Sequence, residues 1–311
     1  PAPPRLSHGY CATQNRVCLL VETHSLKPFA NRVFSTKSMM EHSLSFINNN
    51  YMELVMLNKQ ADKETLKYYL SRKKKFPLVL QGNGKFDKFL FKGYEWYDEY
   101  SKITGSTVRK YTGKAIKVEV PFFNQASSST KISVPPAYLI PPQFSEIIDV
   151  LKAHQIKFNL LKSEKKIKVE KYRFEDVRFV EKPYEGRQLL SFKCFSFTET
   201  VDVESGTLIV YTNQRQLRVI INLLEPEAPD SFVNWGFFIS FFERKEYAEA
   251  YVMEPYAKQM MKDNPQLRSD FYKKLNENES FRNNSGERLD FFYKRSPFYD
   301  KGENIYPILR M

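Results

Sequence analysis

The segment Arg16–Ser25, RVCLLVETHS, drives an aliphatic run straight into a carboxylate. Four of the five residues Val17–Val21 are aliphatic and the fifth is Cys18, a composition suited to a strand covered on both faces. Glu22 follows at once, then Thr23, His24 and Ser25. In open α/β sheets, reactive groups gather beyond the carboxyl ends of buried strands. A carboxylate half covered by apolar walls can accept and return a proton there. Glu22 is therefore the candidate proton carrier; the alternative is a strand-end Glu that caps a loop or pairs with Arg16 or Lys27.

The rest of the chemical inventory is thin. The four histidines are His8, His24, His42 and His154. None has a Glu three residues on or a His four residues away, so the common zinc-binding helix patterns are absent. No Ser occupies a nucleophile elbow. QGNGKF at 81–86 lacks P-loop spacing and reads as a turn. The three cysteines, Cys11, Cys18 and Cys194, show no metal-type spacing. Cys18 is expected to pack inside the strand, and Cys11 has no assignable base.

The elements that must position Glu22 come next. Residues 1–30 read as loop, strand, loop. From Phe34 to about Lys74, Met40, Leu44, Ile47, Tyr51, Leu54 and Val55 follow helical spacing and predict one apolar face. Ser38 with Glu41 has the form of a capping box, and the asparagines 48–50 suggest a kink. From Leu78 to about Val210, short β-rich runs alternate with Gly, Pro, Asn and Ser clusters, as in a sandwich or barrel. One helix is expected near Pro142–His154, and Val201–Tyr211 reads as a hairpin turning at ESG. From Gln214 onward helices return.

Composition bounds the function classes. The chain has 311 residues, 42% of them hydrophobic, with 26 Phe and 19 Tyr, so it is long enough and apolar enough to fold around a sizeable core. No apolar run approaches the roughly 18 residues of a membrane span. The start, PAPPRLSHGY, has neither a basic nor an apolar signal-peptide segment, and a processed product or a fragment is expected. Net charge is +12, which raises the question of nucleic acid. The basic runs SRKKKF (71–76) and KSEKKIKVEKYR (162–173) come with no recognition signature, and the second alternates like a solvated strand face. No nucleic-acid partner is expected. Sequons occur at Asn278 and Asn283.

PRLSHGYCATQNRVCLLVETHSLKPFANRV resembles the closing segment of a zinc carboxypeptidase domain, and more closely a bacterial branch of the carboxypeptidase A-like metallopeptidases with a long C-terminal extension. The likeness continues through LLEPEAPDSFVNWGFF, EYAEAYVMEP, FFYKRSP and YPILR, and is weaker in the β-rich middle. The resemblance implies peptide hydrolysis at a zinc-bound water, with Glu22 taking that water's proton and delivering it to the leaving amine. It implies a substrate-lining role for Tyr10 and supporting roles for His24 and Arg16. The family's zinc ligands, a His and Glu three residues apart plus a later His, belong to sequence ahead of the Glu strand. Only His8 lies there in this chain, so zinc is implied but its ligands are not present.

The expected fold class is therefore α+β: residues 1–76 the end of an α/β peptidase domain, 77–213 a β-rich, sandwich-like accessory domain, 214–311 a helical C-terminal region. The resemblance also implies a partner, the N-terminal zinc-binding half of the same protein, together with a peptide substrate and a periplasmic or secreted location. The alternative is a non-catalytic interaction module in which Glu22 is a relic.

Overall fold

The computed structural model describes residues 1–71, 73–244 and 246–311; Arg72, within the first basic run, lies outside them. The class is α+β, and every strand pairing among the described residues is antiparallel. Contacts divide the chain into two compact units, Pro1–Pro135 with Thr212–Asp230 and Pro136–Tyr211 with Ser231–Met311.

The first unit opens with the short helix α1 (Ser7–Thr13). An extended stretch follows, and then α2 (Phe29–Leu70), 42 residues long and so about 63 Å from end to end. The helix begins nine residues ahead of the capping box proposed from sequence, with Pro28 as N-cap. Ser38 is thus interior, and its carbonyl lies 2.7 Å from His42 Nδ1. The kink falls where the asparagines stand. Asn50 leaves helical geometry (φ −123°, ψ 15°), and its side-chain amide donates to the Phe46 carbonyl at 2.8 Å, competing with the backbone ladder.

No residue of α2 is buried. Only its last turns meet a core. There Leu66, Tyr69 and Leu70 pack against Phe76 and Leu78 of β1 (Phe76–Gly82), Ile132 of β4 (Ala126–Ile132), and Leu217 and Ile221 of α4 (Leu217–Leu224). Between β1 and β4 the chain runs out along β2 (Asp87–Ser101) and back along β3 (Ser106–Phe122). Among the described residues β1 pairs only with β4, and β2 only with β3.

The second unit holds a six-stranded sheet. In spatial order its strands are β6 (Asn159–Leu160), β9 (Leu208–Tyr211), β5 (Ala137–Ile140), β10 (Leu309–Arg310), β7 (Lys165–Phe179) and β8 (Leu190–Val203). β5 is buried throughout, bracketed by Pro135–Pro136 and Pro141–Pro142, the punctuation of a short central strand. The expected hairpin at ESG does not form. β8 ends there and pairs with β7, while β9 pairs with β5 and β6, because a buried run such as LIVY gains more between two strands than at an edge. The helix near Pro142–His154 is α3 (Ser145–Ala153). A cluster of α5 (Ala250–Asp263), α6 (Pro265–Glu277), α7 (Glu279–Asn283) and α8 (Ser285–Tyr293) closes the unit. Asn264, Asn278 and Asn284 each cap the helix that follows by accepting a backbone N–H, at 3.0, 2.9 and 3.0 Å.

Candidate functional site

The segment that carries Glu22 departs from expectation. Val17–Val21 has no helix, turn or bend and pairs with no strand among the described residues, and its side chains are open to solvent: Val17 is 82% exposed and Leu19 62%. The physical reason is backbone pairing. An apolar run becomes a buried strand only where neighbours meet its N–H and C=O groups, and the described residues supply none here. Cys18 is exposed rather than packed. The Cys11 thiol, by hydrogen bonding, together with slight burial, holds the Cys18 thiol above its ordinary range.

What the structure does organise is the ground just before this segment. Gly9, buried in α1, has no room for a side chain: a Cβ would meet the Pro3 carbonyl oxygen at 2.1 Å. Tyr10 is half-buried, and its hydroxyl accepts from Gln14 at 2.8 Å. Asn15, in the left-handed region (φ 55°), turns the chain out of α1, which Asn tolerates better than most residues. Its amide donates to Asp62 and to Thr65, both at 3.1 Å, and its Oδ1 accepts from Arg218 at 2.8 Å. Arg16 grips Asp62 with both terminal guanidinium nitrogens, Nη1 and Nη2, at 3.1 and 2.8 Å, and Arg215 donates to Gln14 Oε1 at 2.8 Å.

Arg16 is thus a clamp between the extended segment and α2. Glu22 is exposed and makes no hydrogen bond or ion pair among the described residues, so it pairs with neither Arg16 nor Lys27. His24 uses Nδ1 to accept the Leu26 backbone N–H at 3.2 Å, closing its own turn. Neither Glu22 nor His24 takes part in the cluster around Asp62. Asp62, Asn15 and Arg218 were missed in the sequence because their partners lie 46 to 203 residues away. The one local signal was Asp62 and Thr65 at helical i, i+3 spacing.

Beside the extended segment lies a groove of about 690 Å³, walled by Val17 and Leu19 on one side and Phe46, Ile47, Tyr51 and Val55 of α2 on the other. An unpaired apolar segment thus runs beside an unburied apolar helix face. Zinc does not fit the side chains present. No three of His, Cys, Asp and Glu come together among the described residues, and His8 Nδ1 is buried without a hydrogen-bond partner among them.

Comparison with known proteins finds a match to fungal Carboxypeptidase 2. The proteins from Trichophyton tonsurans, Trichophyton equinum and Trichophyton rubrum are each 31% identical over 104 residues, 33% of this chain. The chain spans about a fifth of the length of these relatives, 19% of each. No family model matches, and no solved structure does. A third of the chain is therefore similar to part of these carboxypeptidases. No helix among the described residues is long and apolar enough to cross a membrane.

Proposed function

We propose that this chain is the C-terminal part of a zinc-dependent carboxypeptidase-like enzyme of the bacterial, extended branch, acting on peptides in the periplasm or outside the cell. Residues 1–76 complete a catalytic sheet whose other strands, and whose metal ligands, come from the N-terminal half of the same protein. The observation that carries the reading is Val17–Val21: extended, apolar, unpaired, lying along an unburied face of α2 and ending on an unpaired Glu22. A covering sheet would pair the backbone of this run, bury its side chains at about 1.5 to 3 kcal/mol for each large one, and set Glu22 at a strand end beside the reacting groups. The fungal likeness supports the same direction.

In this reading, hydrolysis joins a water oxygen to the terminal peptide carbonyl carbon and breaks the C–N bond. Glu22 takes the water's proton and hands it to the departing amine nitrogen. Tyr10 lines the substrate site, and Arg16, locked to Asp62, sets the start of the segment that carries Glu22.

The test is Glu22→Gln in the full protein with its zinc-binding half. The expected result is a fall in kcat of about 10²- to 10⁴-fold with little change in KM and unchanged zinc content. A folded, zinc-loaded variant with near wild-type turnover on a peptide substrate would remove Glu22 from the reaction. A second reading, a non-catalytic interaction module, is favoured by the lack of any ligand trio among the described residues. It predicts that the full protein lacks the His and Glu pair and leaves peptides intact.

A further inference from the structure

The ribbon β2–β3 has no role in that reading. Its strands run for 15 and 17 residues, about 50 Å at the usual rise, and no residue of either is buried. Phe89, Phe91, Tyr94, Trp96, Tyr97 and Tyr100 of β2 are all between 47% and 66% exposed. A two-stranded ribbon with both faces wet is marginal in water, and apolar surface on this scale marks an interaction site. These side chains expose roughly 100 Å² each, about half of a full aromatic surface. The sum, about 600 Å², is three quarters of the ~800 Å² per partner of a standard interface.

The ribbon's two edges are not equivalent. β3 is blunted in three of the ways that natural edges are: a proline, a bulge and basic side chains. Pro121 has no N–H to offer. Opposite Glu95 alone, β3 carries Thr112, Gly113 and Lys114, since Tyr94 pairs with Ala115 and Trp96 with Tyr111. This bulge turns on Gly113 at φ 83°. The charges of β3 are Arg109, Lys110, Lys114 and Lys117 against Glu119, which would repel a second β3. β2 has no proline, and its residues elsewhere pair one to one with β3. Its outer edge pairs with no strand among the described residues.

Charge decides what closes it. Apart from Asp87, which Asn124 binds at 2.6 Å, β2 is basic in its first half (Lys88, Lys92) and acidic in its second (Glu95, Asp98, Glu99). Lys88, Glu95 and Asp98 touch β3 through exposed ion pairs of 2.7 to 3.5 Å, which are weak. Lys92 and Glu99 have no ion pair among the described residues. A strand with this polarity complements itself when reversed. We propose that β2 is a dimerisation edge, pairing antiparallel with the β2 of a second copy about a two-fold axis. The basic half of each strand then lies along the acidic half of the other, and the two ribbons form a four-stranded sheet with aromatic side chains on both faces.

The test is the mass of the 311-residue chain in solution by analytical ultracentrifugation, with two charge variants. Lys88→Glu/Lys92→Glu makes the edge acidic throughout, and Glu95→Lys/Glu99→Lys makes it mainly basic. The wild type is expected at twice 36.7 kDa. Each variant alone is expected to dissociate about tenfold or more readily, and an equimolar mixture to restore the dimer as a heterodimer. If either double variant fails to fold by circular dichroism, K92E and E99K take its place in the same comparison. A monomeric wild type, variants that dimerise as tightly as wild type, or folded variants that do not recombine would each overturn the proposal.

Discussion

Arg16 and Asp62 form a two-pronged ion pair, 3.1 and 2.8 Å, that ties the chain leaving α1 to α2 across 46 residues of sequence. Burial pushes the Asp62 carboxyl up, but hydrogen bonds from Arg16 and Asn15 and the charges of Arg16 and Arg215 outweigh it, leaving the pKa below its ordinary value. A carboxyl whose folded pKa is depressed adds stability that is complete above its unfolded value, about 4, and lost as the pH falls through the folded value. Asp62→Asn should cost about 1 to 2 kcal/mol at pH 7, toward the lower figure because Arg16 is 34% exposed. Urea unfolding at pH 7 and at pH 3 checks this: the gap between wild type and variant should narrow in acid. A gap of equal size at both pH values would mean that the pair is not the source.

Leu19 and Val17 are exposed and join no core among the described residues, so Leu19→Asp should change the chain's stability by less than about 0.5 kcal/mol. If the proposed zinc-binding half covers this segment, the same substitution should abolish association with it, because a charge would enter a buried strand. Hydrogen exchange offers a direct readout. Backbone amides of residues 17–22 should exchange fast in the chain alone and slow once the other half is bound. Fast exchange in both states would place this segment outside any sheet.

Metal content supplies a further check. After dialysis the chain alone should retain well under one zinc per molecule, since a closed site needs about four ligands and an open one three. One tightly held zinc per chain would require ligands that no trio among the described residues provides.

The helical cluster of the second unit rests on Phe281, which is 0% exposed and sits against the rings of Phe271 and Phe291 at centroid distances of 5.9 and 6.0 Å. Phe281→Ala should cost about 3 to 5 kcal/mol. Tyr251, 79% exposed on α5, should tolerate Ala within about 0.5 kcal/mol. Thermal unfolding of the two variants separates the cases.

Features set by near neighbours were legible in the sequence. The three- and four-residue spacing marked α2, the asparagines marked its kink at Asn50, and the Lys and apolar alternation marked β7, where Val169 is buried while Lys168 is exposed. An α+β class followed from those patterns. A helix satisfies its own backbone within four residues, so its signal is local. A strand's alternation likewise reports its two faces.

Only the tertiary structure decided which strands meet. β10, two residues at the C-terminus, inserts between β5 and β7, with Arg310 opposite both Tyr138 and Glu170. Nothing near residue 310 announces that placement. The same limit explains Val17–Val21. Its composition suggested a buried strand, but a strand exists only when another backbone takes its hydrogen bonds, and none among the described residues does so. Glu22 was legible as a carboxylate after an apolar run. Whether it stands at the end of a sheet depends on pairings its own neighbours in sequence do not encode.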